Sequence, residues 1–377
     1  MKKHNIIKTV IVLCAVVLMP VTACAVQENY YNEQLEAVGA DEIFDSLPEQ
    51  AKEYMELAGI DTVDFGALLD FSPEAIFDCL VSMVKNGLRQ PLNAFLTTVG
   101  SIVLLSLVQC FFTGDARSRS ILNIISGCFL IIGIFAQLYT AVKAGVSCIS
   151  LTAGFELALI PAFAATVTAS GNPALALSYS GFALAAAQGV EQLAKAVILP
   201  ASGACLSLGI TAAVSPDFKF GGLCETLAKT VKNVLSFAAA MFSSVLALKG
   251  VLARSADSLT AKGIKLVVSS AVPVVGGALS DAYSTVAGSL SVLNSALGVF
   301  GISAVFMINA PAILQLIMWI VALRLGEAVA RVMGQEQQAA LLKCIGDTVS
   351  MINVLIIYCM TVFIISCAIV LALRTEN

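Results

Sequence analysis

Imidazole is almost absent from this chain: its single histidine, His4, lies among the first residues. Beyond that point Ser-His and Cys-His catalysis and His-ligated metal sites have no base or ligand to draw on. Charge is scarce too. Lys, Arg, Asp and Glu make up 12% of the 377 residues, against roughly 25% in ordinary soluble domains, which is too few to coat the surface of a globule of this size. The eleven cysteines contain no C-x-x-C pair, and no Gly-rich loop runs into a Lys-Ser/Thr pair. A zinc site, a disulfide framework and a phosphate-cradling P-loop are therefore not encoded, and neither a cofactor nor an enzyme active site is expected.

Apolar residues fill the gap, at 58% of the chain with a mean hydropathy of +0.91. The expectation is an all-α, polytopic transmembrane helical bundle with membrane lipid against its surface and a short N-terminal helical ectodomain. The net charge of −4 is unevenly spread: residues 27–80 hold fourteen of the twenty-five acidic residues and one basic residue, Lys52. An acidic segment beside an apolar, mildly basic body does not suit nucleic acid and points to protein partners.

Residues 1–25 read as a secretory signal. Lys2, Lys3 and Lys8 form the charged start, Thr9 to Met19 the apolar stretch, and Ala23-Cys24-Ala25 an A-x-A cleavage site. Val21-Thr22-Ala23-Cys24 also fits a lipoprotein signal with Cys24 as the lipidated residue. Either reading starts the following region, residues 26–90, outside the cytoplasm. There Ser46 and Glu49 form a capping box for a helix over Leu47 to Leu57, which Gly59 ends, and Ser72-Pro73 opens a second helix. Ile76, Leu80, Val84 and Leu88 give that second helix an apolar stripe, suited to the membrane surface or to the other ectodomain helices.

The transmembrane domain is expected over residues 91–377. Leu92 to Phe112 is a charge-free stretch long enough to span, and Gly114 to Arg119 is a basic turn suited to the cytoplasmic side before Ile121 to Val142 returns. Later segments are rich in Gly, Ala and Ser with internal Pro161, Pro200, Pro273 and Pro311, the pattern of a closely packed bundle of eight to ten crossings or re-entrant segments. Residues 121–215 and 232–323 repeat one order of segments, with matching prolines 112 and 111 residues apart. An even number of crossings per copy would make such repeats parallel.

Two carboxylates stand inside this apolar body: Glu156, five residues before Pro161, and Asp281, eight after Pro273. Ion or proton coupling is one reading, since an intramembrane charge is costly. The plainer one has Asp281 capping a helix at the interface and Glu156 protonated or paired. Gly276 and Gly277 suit close helix packing better than phosphate binding, and Gly171-Asn172-Pro173 either joins two half-helices or makes a surface turn.

Two long strings carry a family resemblance: Ile160-Pro161-Ala162-Phe163-Ala164-Ala165-Thr166-Val167-Thr168-Ala169-Ser170-Gly171, and Ala271-Val272-Pro273-Val274-Val275-Gly276-Gly277-Ala278-Leu279-Ser280-Asp281-Ala282. With the signal and the acidic ectodomain, the chain resembles the stage III sporulation protein AE family of endospore-forming bacteria over nearly its whole length. The resemblance implies a multi-pass protein in the mother-cell membrane surrounding the forespore. It also implies membership of a channel complex whose other stage III sporulation proteins supply an ATPase and ring-forming ectodomains. It carries over no catalytic residues. A permease for small solutes is the alternative; it would need a solvated polar cavity near Glu156 and Asp281, where a scaffold would show a packed interior and wide apolar flanks.

Overall fold

The computed structural model describes residues 39–60, 73–111, 116–170, 172–193, 196, 199–214, 221–271 and 276–372. The signal region, with Cys24 and its two readings, lies outside them. Among the described residues the chain is all helix: α1 (Ala40–Asp45), α2 (Glu49–Leu57), α3 (Pro73–Phe111), α4 (Ala116–Ala169), α5 (Pro173–Leu193), α6 (Leu199–Val214), α7 (Gly221–Ala271), α8 (Gly276–Val332) and α9 (Glu336–Ala372).

Pro48 overrides the capping box. With φ −59° and ψ 141° it is the residue before the first turn of α2, and no side chain caps that helix. A residue preceding proline avoids helical backbone angles, so Leu47 cannot open the helix. Ser46 instead closes α1, where its hydroxyl donates to the Ile43 carbonyl at 2.6 Å. Gly59 stops α2 as expected: at φ 82° it donates to Glu56 O, while Ile60 donates to Met55 O. That pair of bonds satisfies the free carbonyls of the last turn.

Segments read as separate units join into long helices. Pro91 lies inside α3, Pro161 inside α4 and Pro311 inside α8, so the Ile76 to Leu88 stripe and the Leu92 to Phe112 span share one helix. The basic residues Arg117 and Arg119 belong to the first turns of α4 rather than to a loop. A proline removes one backbone bond, yet each of these helices continues through it, as helices of a packed bundle can. Eight to ten apolar segments thus lie on fewer helices, and among the described residues five stretches are long and apolar enough to cross a membrane: Glu74–Phe111, Leu138–Ala169, Glu225–Lys249, Val292–Val332 and Glu336–Ala368, with Ile124–Ile134 a shorter one. The chain is an all-α membrane bundle. The two candidate repeats are cut differently, because the first has a turn between α4 and α5 where α8 runs unbroken.

The α9 helix is the axis of the bundle. Of its most apolar stretch 72% is buried, against 22% for α3 and 12% for α7, and it packs on α4, α5, α6, α7 and α8. Gly334, at φ 72°, makes the tight turn from α8 into α9. The N-terminal helices are not a free water-facing domain: Ile43, Leu47, Tyr54 and Met55 join the main core, and the Phe44 ring lies 6.2 Å from that of Phe300 on α8. On α3 the buried line is Cys79, Met83, Pro91, Ala94 and Thr98, beside the Ile76 to Val84 stripe, which is half-buried.

Register between α3 and α8 is fixed by three contacts. A Cβ on Gly87 would meet Met318, one on Gly326 would meet Thr98, and Gln335 donates to Gln109 at 2.8 Å. The two helices run parallel, with Gly87 level with Met318 and Gln109 level with Gln335.

Candidate functional site

One face of α4 turns inward and carries polar groups at helical spacing. Cys148, Thr152 and Glu156 follow one another every four residues, and Thr166 and Ser170 continue farther along. Each meets a partner helix at its own height. Lowest, the Cys148 thiol donates to the Ile308 carbonyl at 2.9 Å and lies 3.4 Å from Asn309 Oδ1. Asn309 Nδ2 donates to Thr152 Oγ1 at 2.9 Å and to Val305 O at 2.7 Å. These bonds tie α4 to the stretch of α8 just before Pro311. Highest, Thr166 donates to Asn294 Oδ1, and Asn294 Nδ2 donates to Ser170 Oγ at 3.0 Å.

Between them stands Glu156, fully buried. The Cys367 thiol of α9 lies 4.0 Å from its Oε1, and the Tyr179 hydroxyl of α5 lies against that same thiol. Glu156 Oε2 has no hydrogen-bond partner among the described residues. The surroundings are tight: Phe155 packs against Phe300, Phe163 lies 4.8 Å from Tyr179, and a Cβ on Gly301 would come within 2.8 Å of Leu159 Cδ2. Glu156 is thus enclosed where three helices meet α8.

Asp281 is not brought to it. Glu156 stands level with Gly301 of α8, and Asp281 lies twenty residues earlier, about 30 Å along the helix. Asp281, Gly276 and Gly277 occupy the first turns of α8, and their surroundings lie outside the described residues. Among the described residues close packing is carried by Gly145 against Leu316 and Ile356, Gly209 against Cys344, Gly301 against Leu159 and Gly326 against Thr98. Asn172 joins α4 to α5: its carbonyl accepts from Ala176 at 3.1 Å and its side-chain amide donates to Ser170 O at 3.2 Å.

A second polar centre closes the end of the bundle where α8 turns into α9. Arg324 bridges Glu327, at 3.0 Å, and Asp347, while Arg331 holds the other oxygen of Glu327 at 2.8 Å. Lys232 donates to Ser350 at 2.7 Å and Lys343 pairs with Glu225, fastening α7 to α9. Among the described residues no group of three or more His, Cys, Asp or Glu is placed to hold a metal ion.

The sequence singled out Glu156 but missed its layers. The spacing of Cys148, Thr152 and Glu156 and an Asn two residues before an intramembrane proline were the available signals.

The family model for stage III sporulation protein AE matches residues 69–373, which takes in every helix from α3 to α9. The chain belongs to the stage III sporulation protein AE family. Stage III sporulation protein AE of Bacillus subtilis (strain 168) is 24% identical over 249 residues, covering 64% of this chain and 62% of that protein. No solved structure matches the chain. Membership of the stage III sporulation protein AE family gives the protein a sporulation-related role.

Proposed function

We propose that the protein is a non-enzymatic, multi-pass component of the channel complex joining mother cell and forespore, sited in the mother-cell membrane around the forespore. One observation carries this reading: the interior at Glu156 is packed, whereas two flanks are broad and apolar. Leu96, Leu104 and Phe111 on α3 and Val234, Phe237, Met241 and Leu248 on α7 are exposed. Surfaces of that kind meet lipid or the membrane helices of neighbours. The partners are the other stage III sporulation proteins that the family resemblance implies, an ATPase and ring-forming ectodomain proteins among them. Gly276 and Gly277 serve as packing positions at the start of α8. An unaided permease for small solutes is the second reading, favoured by the unpartnered oxygen of Glu156.

Affinity purification of the full chain from sporulating cells, after mild solubilisation, separates the two. Co-purification in fixed ratio with a companion ATPase and ectodomain proteins supports the channel complex. Recovery alone, with solute uptake by vesicles containing only this chain, would establish the permease.

A further inference from the structure

The outer side of α7 is divided lengthwise. Ala228, Val231 and Leu235 pack on the core, with Ala238, Ala239 and Phe242 half-buried beside them, while most of the other described side chains as far as Lys249 are exposed. The exposed side carries two stripes, each rising in steps of three and four residues, the spacing of one helix face. Val234, Phe237, Met241, Val245 and Leu248 make the apolar one. Next to it, and exposed over the same length, run Thr226, Lys229, Asn233, Ser236, Ala240 and Ser244. Lipid suits the first stripe and not the second.

The bonding along the polar stripe says what meets it. The Ser236 hydroxyl donates to the Lys232 carbonyl at 2.9 Å and the Ser244 hydroxyl to the Ala240 carbonyl at 2.8 Å, so both protons are committed within the helix and only oxygen lone pairs are offered outward. A facing helix would have to bring a donor to each level, whereas water supplies one at every level. Among the described residues nothing bonds the exposed Asn233 amide, which offers two donors and an acceptor of its own. Length points the same way. The uncharged run of α7, Asn233 to Leu248, rises about 24 Å, short of a hydrocarbon core of roughly 30 Å, and water along one side removes the mismatch that lipid all round would leave.

We propose that the Lys229–Ser244 stripe of α7 faces water and forms part of the wall of the channel's passage, the rest of the wall coming from neighbouring subunits. The proposal rests on the channel reading and adds to it the helix that lines the passage. The apolar stripe beside it keeps the same helix in contact with lipid or with a neighbour's membrane helices.

Cysteine scanning along α7 tests it. Single cysteines are placed in the full chain, in a variant lacking the exposed Cys110 and Cys128, and their rates of reaction with a charged, water-soluble methanethiosulfonate are measured in membranes from sporulating cells opened to reagent on both sides. Asn233→Cys, Ser236→Cys, Ala240→Cys and Ser244→Cys should react about tenfold or more faster than Val234→Cys, Met241→Cys and Val245→Cys, because the reactive thiolate forms in water and not in apolar surroundings. Accumulation of each variant at the parent's level shows that it folds. Equal rates in the two stripes, fast or slow, overturn the proposal, and so does a faster apolar stripe. Co-purification reports on the complex separately: a fast polar stripe in a protein recovered without companions refutes the complex and leaves α7 lining a passage between copies of this chain.

Discussion

Gly301 offers the most direct test of how the bundle is held together. It sits where α8 crosses α4 and α9, one turn from Glu156, and a Cβ there would lie 2.8 Å from Leu159 Cδ2 and 3.6 Å from Cys367 Sγ. Leu159 is itself completely buried, so it cannot simply swing away. Replacing Gly301 by Leu gains about 0.8 kcal/mol of helix propensity. Against this stands an overpacking cost of roughly 1 to 3 kcal/mol, here at the upper end because the first atom added already clashes. The net loss is about 2 kcal/mol, a factor of roughly 30 in the ratio of folded to unfolded protein. Gly301→Ala needs only a small shift of one methyl group and comes out near neutral. Gly154→Leu is the control on the neighbouring helix: that glycine is exposed with nothing within 4 Å of its Cβ position, so propensity alone acts and the variant is as stable as the parent or slightly more so. Size-exclusion profiles of detergent-solubilised membranes heated in steps give the midpoints, and membrane accumulation at matched expression gives the cellular consequence. If Gly301→Leu melts with the parent while Gly154→Leu falls, close approach of α8 to α4 does not hold this bundle together.

Arg324→Met leaves Glu327 and Asp347, both largely buried, without the cation between them; a loss of roughly 1 to 3 kcal/mol is expected, read by the same heated profiles, and adding Asp347→Asn should return part of it. A signal at residues 1–25 together with the basic start of α4 would set the orientation: in a variant lacking the exposed Cys110 and Cys128, a cysteine at Asn32 should react with an impermeant reagent in intact cells and one at Ser118 only after permeabilisation. Labelling of both in intact cells would refute it.

Composition made the membrane bundle legible, because no other fold class accommodates so little charge. Local stop signals were legible as well, as Gly59 shows. What escaped were joins and levels. Proline at 91, 161 and 311 reads as a boundary along one dimension, yet each lies inside a continuous helix, and bonds from Cys148 and Asn309 tie the stretch before Pro311 to α4. Such a tie joins residues 160 positions apart and leaves no local mark. Glu156 was visible as an intramembrane carboxylate, but its enclosure by Tyr179 and Cys367 depends on which faces of α5 and α9 turn inward. Glycine was equally ambiguous: its spacing cannot separate Gly301, which touches a neighbour, from Gly154, which does not.

The parallel register of α3 on α8 gives the molecule a stepped hull. Gly87 is level with Met318 and Gln109 with Gln335, so the apolar half of α3, Leu92 to Phe111, stands beside the charged end of α8. The last part of α8's uncharged run, Phe300 to Leu323 of a run that begins at Ala282, is centred about 18 residues, or roughly 27 Å, higher. That offset nearly equals the thickness of a hydrocarbon core, roughly 30 Å. At the upper level α3 turns Asp78, Lys85 and Arg89 outward. An upright bundle in a flat bilayer centred on that stretch, whose side chains lie mostly in the interior, would press those charges into oil. A tilt of the bundle, or a neighbour's helices beside α3, would relieve that mismatch.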